Sequence, residues 1–192
     1  MGPVARLLAV VAIGIMVLAG CQRDQQRPQA PAAAPSTQVV SPGTLTAGAK
    51  VAPPKGEVVL TMSGQIGTHN HGRRLALDLA SLDRMRTVRM RTSEPFLKRR
   101  VAFEGVLLSD LLAVAGVSDA ASRINITALD DYKVDFTVAD ARSSQMLLAT
   151  RADGKRMPVD KAGPIRIVFP DGSTLGRNPD LWIWSVSTMR LS

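Results

Sequence analysis

Few residues of this 192-residue chain have the type and spacing to do chemistry, and most lie between His69 and Arg100. His69 and His71, two positions apart, share a side of any extended segment and could face one metal ion. Zinc asks for three or four ligands, and the chain has no third histidine. Loop residues without a metal account for the pair better, and neither histidine belongs to a serine-nucleophile motif. Arg73, Arg74, Arg84, Arg86, Arg89, Arg91, Lys98, Arg99 and Arg100 set nine cations in 28 residues, against Asp78, Asp83 and Glu94. Such a run is either an anion site or a solvated strand face with a basic loop. No aromatic residues interleave with it in the manner of a nucleic-acid surface.

Three further places carry polar groups that chemistry could use. Asp130, Asp131 and Tyr132 form a turn that either lines a pocket mouth or packs its tyrosine on the core. Arg166 alternates with apolar residues in Pro164–Pro170, PIRIVFP, where a ligand or an internal salt bridge would explain it. Trp182 and Trp184 near the end of the chain pack into the core or stack on a ligand.

The elements that position these groups begin after a leader. Arg6 precedes an apolar run, Leu7 to Leu18, too short for a stable span and of the length of a signal core. Leu18-Ala19-Gly20-Cys21 follows. Small residues before a cysteine have the form of a bacterial lipobox, with cleavage before Cys21 and lipid on its sulfur. Cys21 is the only cysteine, which excludes an intramolecular disulfide. Residues 1–20 are therefore expected to be a signal peptide. Gln22 follows the lipidated position in place of the Asp that often marks inner-membrane retention in Gram-negative lipoproteins, so the outer membrane is favoured. Residues 21–56 carry Cys21 and six of the twelve prolines, with no apolar periodicity, and are expected to be a disordered linker.

Residues 57–192 then make one domain. Val58 to Ile66 has strand composition, and Leu75 to Leu79 alternates before a short helix to Met85. Thr87 to Thr92 sets Val88 and Met90 against Arg89 and Arg91, a half-exposed strand. Val101 to Phe103 is a short strand with Glu104-Gly105 as its turn. Leu107, Leu108, Leu111, Leu112 and Ala115 repeat at three and four, a helix that Gly116 stops. Arg123–Leu129 and Tyr132–Val138 form a hairpin, and Asp140 is placed to cap a short helix. Asp153-Gly154 marks a second hairpin. Trp182 to Leu191 alternates Trp182, Trp184, Val186 and Thr188 on one face. Many short strands with two or three short helices make an α+β domain, mostly β.

The order of these pieces resembles the oxidoreductase molybdopterin-binding domain family, the sulfite-oxidase-like fold. The segments that carry the resemblance are Ser63-Gly64, Phe103-Glu104-Gly105-Val106 with Leu108-Ser109-Asp110-Leu111-Leu112, Ala128-Leu129-Asp130-Asp131-Tyr132, Leu147-Leu148-Ala149 with Asp153-Gly154, and Gly163 through Pro170. The resemblance implies mixed sheets and a molybdopterin cofactor whose metal is held by a cysteine thiolate, a soft ligand suited to a redox metal. That position falls at or near Thr92. The resemblance also implies a basic run after the Pro164–Pro170 strand to hold the pterin phosphate. Here the chain reads Asp171-Gly172-Ser173-Thr174-Leu175-Gly176-Arg177, with Arg177 its only cation. By the same resemblance Arg166 lies near the cofactor, and Asp131 and Tyr132 near the substrate side.

With both positions altered, the sequence is that of a periplasmic lipoprotein with a degenerate domain. It is expected to bind a partner or small anionic ligand, through the Arg73–Arg100 region, and to hold no cofactor. The alternative is a molybdenum-cofactor oxidoreductase with an unconventional metal ligand.

Overall fold

The computed structural model describes Gly2 and residues 37–192. The leader, the lipobox with Cys21 and the first part of the expected linker lie outside the described residues. Among the described residues there are eleven strands and three α-helices in two sheets, with no helix long and apolar enough to cross a membrane. The expected mostly β, α+β class is the observed one.

The first sheet holds β1 (Thr37–Ser41), β4 (Thr87–Glu94), β5 (Arg99–Leu107), β8 (Leu147–Ala152) and β10 (Arg166–Val168) in that order, with β9 (Lys155–Arg156) beside β8. All its pairings are antiparallel. The second sheet runs β3 (Leu75–Asp78), β2 (Val58–Gly64), β11 (Val186–Leu191), β6 (Arg123–Ala128) and β7 (Lys133–Thr137). Its one parallel pair is β2 with β11, which makes the sheet mixed. Both sheets contribute to one continuous apolar core with Phe103, Phe169, Leu60 and Met90 at its centre.

The linker expectation requires correction for residues 37–56. β1 pairs with β4 and forms the edge of the sheet, Thr37 opposite Met90. The backbone N–H groups of Thr44 and Leu45 both donate to the Arg84 carbonyl, and Leu45 and Val51 are buried. Gly43 allows this docking: its φ is 71°, and a β-carbon there would collide with the Met85 backbone. Lys55 and Gly56 donate from their backbones to the Asp78 carboxylate, which also caps α1 (Leu79–Asp83) through Ser81. Proline content misled because the few apolar residues of this stretch are scattered without a period, yet Leu45 and Val51 find the core while Val39 and Val40 stay exposed.

Three local expectations also change. Glu104-Gly105 is not a turn: β5 runs through it, with a register shift against β8. A β-carbon at Gly105 would meet the Leu148 carbonyl, so the glycine serves close strand approach. Asp140 is not the cap of α3 (Val138–Ser143); Thr137 is, its Oγ1 accepting from the Asp140 N–H and donating to the Asp140 carboxylate. The last strand starts only at Val186, because Ser185 adopts φ 46° and Trp182 closes a 3-10 turn. The helix α2 (Leu108–Ala115) and its stop at Gly116, φ 62°, are as the periodicity predicts.

Candidate functional site

Strand β4 turns one row of side chains inward: Val88, Met90, Thr92 and Glu94, with Arg89, Arg91 and Ser93 outward. Its apolar row thus ends in two polar residues, each of which must find partners once buried. Thr92 is 1% exposed and donates from Oγ1 to Asp171 Oδ1 at 3.0 Å. The Ser93 backbone N–H donates to the same oxygen at 2.8 Å, and Arg100 pairs with the other at 2.8 Å. Partial burial pushes the Asp171 carboxyl up, but the hydrogen bonds from Ser93 and Thr92 and the charge of Arg100 outweigh it and hold the pKa below the usual carboxylate range.

Glu94 is equally buried. One of its oxygens accepts the backbone N–H groups of Phe96 and Leu97, which shapes the β4–β5 loop. The other accepts from Arg166 Nη2 at 2.7 Å. Arg166 reaches it from β10, its guanidinium carbon 5.4 Å from the Phe103 ring centre and 5.1 Å from that of Trp184. Burial lowers the Arg166 pKa, and the hydrogen bond and charge of Glu94 oppose that shift. One donor is left over: Arg166 Nε is buried without a hydrogen-bond partner.

Arg166, Glu94, Phe103 and Trp184 line a cavity of about 720 Å³. Its charged lining is Arg99, Lys155, Arg156, Lys161 and Arg166 against Glu94, Asp153 and Asp160, five cations to three carboxylates. Arg99 pairs with Asp153, and Arg156 with Asp83 from outside the lining. Lys155 and Lys161 are exposed and enter no salt bridge among the described residues.

The residues singled out from sequence are not all brought together. Thr92 and Arg166 approach the same end of β4. Tyr132 lines a neighbouring cavity of about 510 Å³, its hydroxyl donating to the Asp180 carbonyl at 2.9 Å. Asp131 is exposed, holds φ 65° in the hairpin turn and lines neither cavity. His69 and His71 are exposed, and no group of three metal-ligating side chains occurs among the described residues. Four of the nine cations from Arg73 to Arg100 are paired: Arg86 with Asp110, Arg89 with Glu104, Arg99 with Asp153, Arg100 with Asp171. Among the described residues Arg177 reaches only Thr174, at 3.4 Å. The residue that sequence reasoning passed over is Glu94, counted only as a counter-charge. Continuing the alternation of Val88 and Met90 by four positions places it inward, where a carboxylate must be matched.

The family model for the oxidoreductase molybdopterin binding domain matches residues 68–183, more than half of the chain. The chain belongs to this family. Among solved structures it is similar to the sulfane dehydrogenase SoxCD from Paracoccus pantotrophus, with a TM-score of 0.54 and 17% identity. That likeness covers 69% of this chain and 37% of the other, so the chain spans well under half of that relative. No curated protein matches the chain.

The residues present do not fit the metal that the family implies. Where the resemblance sets a thiolate, a threonine hydroxyl donates its proton to Asp171. A hydroxyl bound as donor offers molybdenum no soft anionic ligand. Arg166, the arginine that the resemblance sets near the cofactor, already holds the Glu94 carboxylate.

Proposed function

We propose that this protein is a lipid-anchored, periplasm-facing member of its family that binds a small oxyanion and does not catalyse. The observation that carries the reading is the Arg166 guanidinium at the wall of the larger cavity. Glu94 takes one Nη, Nε is buried without a partner, and the lining to which Arg166 belongs has two excess cations. A buried donor without a partner costs about 1–3 kcal/mol, which an oxyanion accepting from it would offset. Lys155 and Lys161 at the rim attract such an anion from solution. Catalysis is not part of the reading, because Thr92 and Asp171 satisfy each other where the family's metal ligand would stand.

The test is calorimetric titration of the folded chain with sulfate and with phosphate at constant ionic strength. Saturable binding that weakens about tenfold or more in Lys155→Gln/Lys161→Gln is expected. No saturable binding of either anion would overturn the reading. The anchor rests on Leu18-Ala19-Gly20-Cys21. Cys21→Ser is expected to move the protein from the membrane to the soluble fraction, and the native chain to sediment with outer membranes, in line with Gln22.

The same unmet Nε also favours a second reading, in which an anionic pterin accepts from Arg166 and the chain is a molybdenum-cofactor oxidoreductase with an unconventional ligand. Arg166→Met should then abolish retention of pterin on purification; retention unchanged by the substitution counts against it.

A further inference from the structure

The smaller cavity, about 510 Å³, adjoins the larger one, and Asp160, Ala162 and Trp184 line both. Its lining differs sharply in chemistry. Phe96, Tyr132, Trp182 and Trp184 are four of the seven aromatic residues of the chain, and include both tryptophans and the only tyrosine. Asp130, Asp160 and Asp180 are its only charged residues. In a chain of net charge +8, a cavity lined by three carboxylates and no cation runs against the average surface. None of the three enters a salt bridge among the described residues. Asp160 lines both cavities, whereas Lys161, next to it in sequence, lines only the larger one.

The wall is held in place. Phe96 meets Trp184 edge-on at 4.8 Å between ring centres. Trp182 Nε1 donates to the Gly176 carbonyl at 2.9 Å and its ring packs on Phe169 at 5.6 Å. Tyr132 is tied to Asp180 by its hydroxyl. Rigid aromatic faces present negative quadrupole, and recognition of quaternary ammonium groups is their established use. Trp184 already holds one cation in this way, the Arg166 guanidinium on the side of the larger cavity. The aspartates do not gather into a metal-sized group, since no such cluster occurs among the described residues. A dispersed acidic rim over an aromatic wall suits a large, weakly hydrated organic cation. Its volume is within the ordinary range for a small-molecule site.

We infer that the cavity walled by Phe96, Tyr132, Trp182 and Trp184 and rimmed by Asp130, Asp160 and Asp180 binds a quaternary ammonium group. The site adjoins the oxyanion site, with Asp160, Ala162 and Trp184 lining both, and does not rest on that reading. The ammonium group reaches it either as a free small molecule or as a choline lipid headgroup; the chemistry of recognition is the same.

The two tryptophans are the only ones in the chain, so their emission reports on this cavity directly. The chain carrying Cys21→Ser and made without residues 1–20, which has neither lipid nor apolar leader to insert into vesicles, is titrated with choline chloride. Sodium chloride at equal concentration controls for anions in the neighbouring cavity. A saturable change in emission is expected with choline. The neutral isostere 3,3-dimethylbutan-1-ol is expected to bind about tenfold more weakly, since it lacks the charge. Asp160→Asn/Asp180→Asn, both exposed positions that leave the fold intact, is expected to weaken choline severalfold without changing the isostere. Binding of free choline assigns the site to a soluble ligand. Retention on phosphatidylcholine but not phosphatidylglycerol vesicles, competed by choline, assigns it to the headgroup. No saturable response to choline and no such retention, or equal affinity for choline and its isostere, overturns the inference.

Discussion

Glu94 and Arg166, 72 positions apart in the chain, meet at 2.7 Å with side chains only 0% and 5% exposed. Each is the other's answer to burial. Removing one partner of such a pair leaves an uncompensated charge, at a cost of about 3–5 kcal/mol. Arg166→Met and Glu94→Gln are each expected to destabilise the domain, Arg166→Met by about that amount. The double variant is expected to cost clearly less than the sum. Urea unfolding of the four proteins measures this, and strict additivity would show that the two side chains do not depend on each other.

Thr92 tests the neighbouring contact. Thr92→Val keeps the shape of the side chain and removes the donor to Asp171 Oδ1. Asp171 retains the Ser93 N–H and Arg100, so the expected loss is about 1 kcal/mol and not the larger penalty of an orphaned charge. Unfolding midpoints at pH 7 check it.

Asp78 sets the acid limb of stability. Burial alone would raise its pKa, but hydrogen bonds from the Ser81 hydroxyl and from the backbones of Gly56, Ser81 and Lys55 lower it to about 2. The unfolded carboxyl takes its proton first. Its contribution, about 2 kcal/mol, is therefore present above about pH 4 and is lost as the pH falls toward 2. Asp153 and Asp171, also lowered, act in the same sense. Asp78→Asn is expected to lose about that much at pH 7 and to flatten the stability curve between pH 4 and pH 2. A curve parallel to that of the native chain would contradict the assignment.

The segment before Glu57 belongs to the fold energetically. Leu45 is 3% exposed, and truncating a buried leucine costs about 2–5 kcal/mol. Leu45→Ala is expected to fall in that range, and a chain beginning at Glu57, which also loses Val51 and strand β1, to be less stable still. Thermal unfolding of the two distinguishes this from a passive linker, for which neither change would matter.

Much of this architecture is legible in the residues alone. Helix α2 announces itself by apolar spacing and Gly116, and the hairpins by alternation across Asp130-Asp131 and Asp153-Gly154. The family too is readable from ordered short segments. What is not legible depends on distance. Nothing local to Glu94 names Arg166, and nothing local to Thr92 names Asp171, because each partner arrives from β10 or the loop after it. Glu104-Gly105 has the composition of a turn, and only the approach of Leu148 explains the glycine in mid-strand. The aromatic cavity is assembled from the loop after β4, the β6–β7 turn, the segment after β9 and the segment before β11, four stretches with no sequence signature in common.

The most direct test of the central claim is the molybdenum and pterin content of the mature chain, made with its own leader in a bacterium that synthesises the cofactor. Thr92, where the resemblance sets the metal ligand, is engaged with Asp171, and Arg166 with Glu94. The account predicts a folded protein with neither molybdenum nor pterin at stoichiometric level. Stoichiometric molybdenum together with a pterin fluorophore released on oxidation would contradict it.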